Sequence, residues 1–327
     1  MREPAALVSV VMAVHNGAAL IEETIASVLA QSHEALELLV VDDGSTDATA
    51  KIVRKWARAD SRVKLLERGH AGQALALNEG IAAAQGLDIA RIDHDDLWHR
   101  DRLRIQRAQM AAKRIDVCGS WVRRIGDARG VVRFPCGHEA IRHEALFACP
   151  ILDSATLFRG DVLRAHPYPA SAVVRTEMVQ LLRFLPRYRI ANLPRILAQY
   201  RSHSGQKTKR LLALAAYRQR QLQEQHFAQM VPDADAEERT VFGLAIGAGP
   251  LAAGELARIA DLFLHRLRSP DAEARERMVR HWRRIVGRSA DPAATQTLRD
   301  RVDSASLACA RPSPTAPPPG TVAPLPG

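Results

Sequence analysis

Cysteine is scarce in this chain. Among 327 residues there are 4, at positions 118, 136, 149 and 309, and no two form a C-x-x-C pair. That spacing argues against a zinc site or a disulfide framework and points to isolated reduced thiols, as in a cytoplasmic protein. Aromatic residues make up only 5% of the sequence, with little interleaving of lysine or arginine, so the stacking platform of a nucleic-acid binder is excluded. Long apolar runs are missing too. The opening MREPAALVSVVMAV is short, lacks a small-residue cleavage site and passes into a strand pattern, while the run from Val241 to Gly254 is broken by Pro250. Neither reads as a signal peptide or a membrane span, and a soluble chain is expected. No G-x-x-x-x-G-K-[ST] phosphate loop occurs. The stretch Gly247-Ala248-Gly249-Pro250-Leu251-Ala252 satisfies G-x-G-x-x-A, but it puts proline in the turn and follows no strand pattern, which argues against a dinucleotide fold there.

What is present is enough apolar residue, 47%, to bury a full core, and a net charge of +10. The positive balance favours acidic partners such as nucleotides or an anionic membrane surface, although solvated helix faces rich in arginine account for it equally well. Through the first 122 residues, strand-like and helix-like patterns alternate. Strands are expected at Leu7–Ala13, Leu36–Asp42, Val63–Glu67, Asp88–Ile92 and Val117–Val122. Helices are expected at Leu20–Ala30, Ala48–Arg58 (capped by Ser45 or Asp47), Gly72–Ala84 and Asp101–Lys113. Strands separated by helices of this length mean βαβ units and a mainly parallel sheet. The stretch Val131 to Ser204 is less regular and rich in proline. Beyond Gly205 the pattern turns helical, most clearly over Thr208–Met230, and Arg311 to Gly327 is mostly Pro, Ala, Gly and Thr, a composition expected to stay disordered.

The chemistry is concentrated at two strand ends. The apolar run closing in Val40-Val41-Asp42-Asp43-Gly44-Ser45-Thr46-Asp47 delivers paired carboxylates to the carboxyl edge of a buried strand, and about fifty residues later a second strand ends in Asp93-His94-Asp95-Asp96. Open α/β sheets bind ligands at that edge. Two acid clusters there suit something polar, a metal with a phosphorylated ligand.

Taken in order, VSVVMAVHNGAALIEETIASVLAQSHEALELLVVDDGSTDAT, the asparagine of LALNEGI and IARIDHDDLWHRDRL resemble the family 2 glycosyltransferases. The resemblance continues through Trp121 and PILDSATLFR to IANLPRILAQYRSHSGQKT, covering roughly residues 7 to 208. It implies a GT-A fold, a Rossmann-like α/β architecture with a mainly parallel sheet flanked by helices. Residues 1–208 would be the catalytic domain, 209–310 a helical C-terminal extension and 311–327 a disordered tail. The implied activity is inverting transfer of a sugar from a nucleotide-diphospho-sugar, a UDP-sugar for preference, to an acceptor hydroxyl, as in cell-surface polysaccharide or glycolipid synthesis.

The resemblance also implies roles for residues. Ala13, His15 and Asn16 would lie by the base and ribose, with His15 where tyrosine is common, and Asp43 would accept a hydrogen bond from the base. Asp42 would tie the loop Gly44-Ser45-Thr46. Asp95, with Asp93 near the ribose or metal, would hold Mg²⁺ or Mn²⁺ across the two phosphates. His203 would contact the metal or diphosphate, and Asn78 belongs to the donor side, where it is expected to fix a loop. Glu177 falls where the family usually places an aspartate as general base. The acceptor side departs from the family pattern: Asp153-Ser154-Ala155 replaces H-P-T, Leu181 stands for a tryptophan, and His166-Pro167-Tyr168 replaces a Gly-Gly-Tyr turn. Those departures leave open a second reading, a GT-A module that binds a nucleotide sugar or a partner with turnover impaired. A nucleotidyltransferase is disfavoured, because Met12–Gly17 lacks the basic residues of a triphosphate loop. The acceptor would be a saccharide or a lipid-linked saccharide. The basic extension is expected to cap the catalytic domain, with peripheral contact to the inner membrane face or self-association as the other uses for it.

Overall fold

A computed structural model describes residues 6–205, 211–289 and 291–308. The apolar runs of the first third become strands whose two faces are both covered: β1 (Val8–Val14), β2 (Leu36–Asp43) and, after the edge strand β3 (Val63–Arg68), β4 (Asp88–Arg91). β1, β2 and β4 are buried at every position, as runs without alternation should be. The helices between them are α1 (Ile21–Leu29), α2 (Thr49–Ala59) and α3 (Gln73–Ala83). Glu22 and Glu23 sit in the first turn of α1, where the helix dipole favours acids. Asp47 accepts the Thr49 N–H at 2.9 Å at the start of α2.

These strands lie in the order β3-β2-β1-β4, every pair parallel. β1 is flanked by β2 on one side and β4 on the other, so the strand order reverses there. The crevice outside the carboxyl ends of β1 and β4 is where such sheets take ligands.

The segment that looked irregular in sequence completes the sheet. After β5 (Leu97–Trp98) and α4 (Arg102–Lys113) come the long β6 (Val117–Gly126), β7 (Gly130–Val132), α5 (His138–Glu144), β8 (Leu157–Arg159), α6 (Gly160–Ala165), α7 (Thr176–Phe184) and β9 (Ile190–Ser202). Beyond β4 the order runs β8-β6-β9-β5, with β7 beside β6. β8 is antiparallel to β4 and β6, while β6 and β9 run parallel. Pro194 can give no N–H to that ladder. The register steps from Ser120–Leu193 to Trp121–Ile196, so Pro194 and Arg195 stand outside it in a bulge. One sheet face packs Val11, Leu39, Val41 and Ile89 against α3 and α7 through Leu77, Ile81 and Leu182. The other packs Val10, Met12 and Val40 against α1 and α4 through Ile25 and Leu103.

Further helices follow: α8 (Leu212–Met230), α9 (Ala236–Ile246), α10 (Ala253–His265), α11 (Ala272–Val286) and α12 (Pro292–Ala308). Their core of Phe227, Phe242, Leu256, Phe263 and Trp282 takes in Leu146 and Phe147, which follow α5. Phe147 stacks on His281 with ring centroids 4.4 Å apart, and the Glu273 carboxylate accepts the N–H groups of Cys136 and Gly137. The extension therefore shares a core with the sheet domain. Among the described residues no helix is long and apolar enough to cross a membrane. The tail from 311 to 327 lies outside the described residues, as do residues 208–210 of the helix expected from Thr208.

Candidate active site

The ends of β1 and β2 form one wall of the crevice. Asp42 accepts the Ser45 N–H at 2.9 Å and so ties the turn that follows β2. Gly44, at φ +72°, makes that turn; a Cβ there would lie 2.7 Å from the His70 backbone nitrogen, so only glycine lets the 69–72 loop approach. That loop is fastened to Asp43, whose two carboxylate oxygens accept the N–H groups of Ala71 and Gly72, each at 2.9 Å. His15 and His70 both direct Nδ1 at the Asp43 carbonyl oxygen, at 2.9 and 3.0 Å. Their rings stand 4.3 Å apart. Asn16 takes a left-handed conformation, φ 55°, and accepts the Thr46 N–H at 2.8 Å, which joins the two strand ends.

The end of β4 forms the floor. Alternation along β4 sends Ile89, Arg91 and Asp93 to the α7 side and Ala90 and Ile92 to the α1 side. Asp95 is nearly buried and accepts from His203 Nε2, just past β9, at 2.9 Å. Arg201 donates its backbone N–H to Asp96 at 2.8 Å and its Nε to the Asp95 carbonyl oxygen at 2.9 Å, so β9 clamps this loop from the side. Burial first, and then the charges of Asp95 and Asp93, push the Asp96 carboxyl well above the usual carboxylate range.

Glu177 lies in the first turn of α7, where the charges of Asp153 and Arg91 reach it. Arg175 precedes it at φ 58°, a left-handed conformation that costs a non-glycine residue roughly 1–2 kcal/mol and is held here by the surrounding fold. Burial and the negative charge of Asp153 raise the Glu177 carboxyl above its ordinary value. Beneath it lies a buried polar group. Arg91 pairs with Asp153 through one guanidinium nitrogen and with Asp93 Oδ1 at 3.0 Å through another, while the Tyr168 hydroxyl donates to Asp153 at 2.9 Å.

Residues 9–155 match the family described as glycosyl transferase family 2. They belong to it. TuaG of Bacillus subtilis, a glycosyltransferase provisionally assigned to teichuronic acid biosynthesis, is 40% identical over 101 residues, 31% of this chain and 40% of that protein. An uncharacterized glycosyltransferase of Haemophilus influenzae is 28% identical over 221 residues, 61% of this chain and 67% of its own length. Another, from Rickettsia conorii, matches over only 16% of its length; the chain thus spans well under two thirds of several of these relatives. Among solved structures, S. aureus TarS 1–349 in complex with UDP superimposes with a TM-score of 0.55 at 16% identity, covering 92% of this chain and 87% of that one. A mannosyltransferase from Pyrobaculum calidifontis, in complex with GDP-Man and Mn²⁺, gives 0.50 at 19% identity, covering 93% and 85%. The fold is GT-A.

Within this family 2 domain the structure gathers Ala13, His15, Asn16 and Asp43 on one wall, and Asp93, Asp95 and His203 on the floor. Asn78 is engaged elsewhere: both ends of its amide bond the Tyr168 backbone, at 2.8 Å each, fastening α3 to the 166–168 loop. His70 and Arg91 carried no signal in the sequence. A histidine in a glycine-rich loop and an arginine inside an apolar strand each become meaningful only through partners about twenty-seven and sixty-two residues away.

No group of three or more His, Cys, Asp or Glu forms a ready metal cage among the described residues. The donors present nevertheless suit Mg²⁺ or Mn²⁺. Such ions are held by one or two carboxylates and complete their shell with water and substrate phosphates. Asp95 supplies one carboxylate, with His203 placed to orient it, and Asp93 keeps an oxygen, Oδ2, that accepts no hydrogen bond among the described residues.

Proposed function

We propose that the protein transfers a sugar from a nucleotide-diphospho-sugar, a UDP-sugar for preference, to an acceptor hydroxyl with inversion at the anomeric carbon. The observation that carries this reading is the set of polar groups gathered past the parallel strands: Asp93 and Asp95 after β4, His203 bonded to Asp95, and Glu177 on α7 within electrostatic reach of the Arg91–Asp153 pair that holds Asp93. Family membership supports it, as do the complexes of TarS with UDP and with UDP-GlcNAc and of the Pyrobaculum enzyme with GDP-Man.

The nucleotide would lie along Ala13–Asn16 and the Asp43 turn, whose backbone the Asn16 and Asp43 hydrogen bonds make rigid before it arrives. Asp95 and Asp93 would hold a divalent ion, which when bound neutralises charge on the leaving diphosphate. Glu177 would take the proton of the acceptor hydroxyl through a carboxylate oxygen as that hydroxyl attacks. Its raised affinity for a proton suits it to that task. The acceptor would be a saccharide or lipid-linked saccharide of a surface polymer, a reading supported by the teichuronic acid assignment of TuaG. Calorimetric titration with UDP, GDP and dTDP, each with and without Mn²⁺, tests the donor half. Metal-dependent binding of one nucleotide is expected; binding of none to folded protein overturns the proposal.

A further inference from the structure

An arginine inside a sheet core is costly unless its charge is matched and its donors are used. Arg91 is 4% exposed, on a strand whose other positions are all buried, and it stands beside Val11 of β1. Its charge is answered by Asp153, 3% exposed and itself anchored by the hydroxyl of the 2% exposed Tyr168, whose ring also lies 5.6 Å from the guanidinium carbon. Methionine at 91 and leucine at 153 would occupy much of the same space at no electrostatic cost. Toward the crevice the pair reaches Asp93 Oδ1 through the second guanidinium nitrogen, at 3.0 Å. Gln73, at the start of α3, donates to the same oxygen at 3.3 Å, and the Ser154 hydroxyl accepts the Asp93 N–H at 3.2 Å.

We propose that Arg91, locked by Asp153 and Tyr168, is a positioning residue that fixes the rotamer of Asp93 and presents its free oxygen to the donor diphosphate and its divalent ion. This rests on the glycosyltransferase reading above. The logic is that of an outer partner to a ligating carboxylate: the guanidinium is planar and two-pronged, so anchoring one prong on Asp153 sets the direction of the other. Burial works against the Arg91 charge, but Asp93 and Asp153 more than offset it and hold the guanidinium protonated well beyond its ordinary range. Asp153 stands in the segment where the sequence leaves the family pattern, and the geometry makes that departure a counterpart of Arg91.

Two sets of variants test it. In the first, Arg91→Met, Asp153→Leu and Tyr168→Phe are made together, replacing the buried ionic group by apolar side chains of similar volume, an exchange that folds tend to tolerate. Thermal melting checks folding, and UDP is titrated with and without Mn²⁺. The Mn²⁺-dependent part of UDP affinity should fall ~10–100-fold, the usual loss on removing an outer partner of a metal carboxylate, while metal-free affinity stays put. A folded triple variant with wild-type Mn²⁺-dependent affinity overturns the proposal and leaves the pair a packing device. The second set is a cycle of Arg91→Lys and Asp93→Asn, which applies whether or not the triple variant folds. If Arg91 acts through Asp93, the lysine adds little once Asp93 has been changed; losses that simply add overturn the proposal. Failure of the wild type to bind any of the three nucleotides overturns the functional reading and this inference with it, an outcome visible before any variant is made.

Discussion

Glu177→Gln isolates the step on which inversion depends. Among the described residues the Glu177 carboxyl makes no side-chain hydrogen bond to another element, so the amide can take its place without breaking a tertiary hydrogen bond there. Stability should shift by no more than about 0.5 kcal/mol. The sign of that small shift follows from linkage. Burial raises the folded-state proton affinity of Glu177, so above that raised value the ionised carboxylate opposes folding, and the non-titrating glutamine should be equal or slightly stabilising at neutral pH. Turnover should respond very differently. A positioned general base contributes roughly 10²–10⁴-fold, equivalent to about 2.7–5.4 kcal/mol of barrier. The measurement is release of nucleoside diphosphate from the donor across pH, with nucleotide affinity followed separately by calorimetry. In the wild type the rate should rise with pH through a limb lying above the ordinary glutamate value of about 4.3, because the active form is the carboxylate. The glutamine variant should keep nucleotide affinity, lose turnover and lose that limb. Turnover within tenfold of wild type, or an acid limb that survives the substitution, would refute Glu177 as the base.

Asp95→Ala should abolish Mn²⁺-dependent UDP binding, with a loss exceeding the ~10–100-fold typical of an outer partner, and calorimetry with and without the ion reads it directly. Gly80→Ala places a Cβ 2.5 Å from Val11 Cγ1 and 3.1 Å from Val41 Cγ2, where α3 lies against the sheet; such overpacking should cost about 1–3 kcal/mol in denaturant unfolding. Phe147→Ala empties a buried site shared by the sheet domain and the C-terminal helices. A loss of about 3–5 kcal/mol is expected, in one cooperative transition. Two separated transitions in the wild type would show instead that the helices fold as an independent unit.

The amino-terminal third was legible because its information is local. Leu36–Asp43 is mostly apolar and ends in acids, α1 carries its periodicity and its first-turn acids within a dozen residues, and α2 its periodicity, though no side chain caps it at Ala48. The second half of the sheet was not legible for the same reason inverted. β5, β7 and β8 run two or three residues each, too short for any period to register. β9 is long but carries Pro194, which a sequence pattern counts against a strand; the bulge opposite Ser120 and Trp121 removes that objection only once β6 is seen beside it.

The site divides along the same line. Asp43, Asp93 and Asp95 announce themselves because a carboxylate ending an apolar run has few structural uses. Their partners are silent. An arginine in IARID reads as a blemish on a strand, and Asp153 reads as a lapse from the family's H-P-T. Each would be an error alone, since an unpaired charge in that core is costly. Together they form one neutral unit with Tyr168, joined across a chain separation of 62 residues that no local pattern spans. The departure at Asp153 is therefore the counterpart of Arg91 and by itself no evidence of decay. Stability alone requires that Arg91 be matched by Asp153 and Asp153 capped by Tyr168; what stability does not require is the second guanidinium nitrogen turned toward Asp93. That bond ties the altered segment to a carboxylate of the donor site, and the Arg91→Lys and Asp93→Asn cycle decides whether it serves turnover or packing alone.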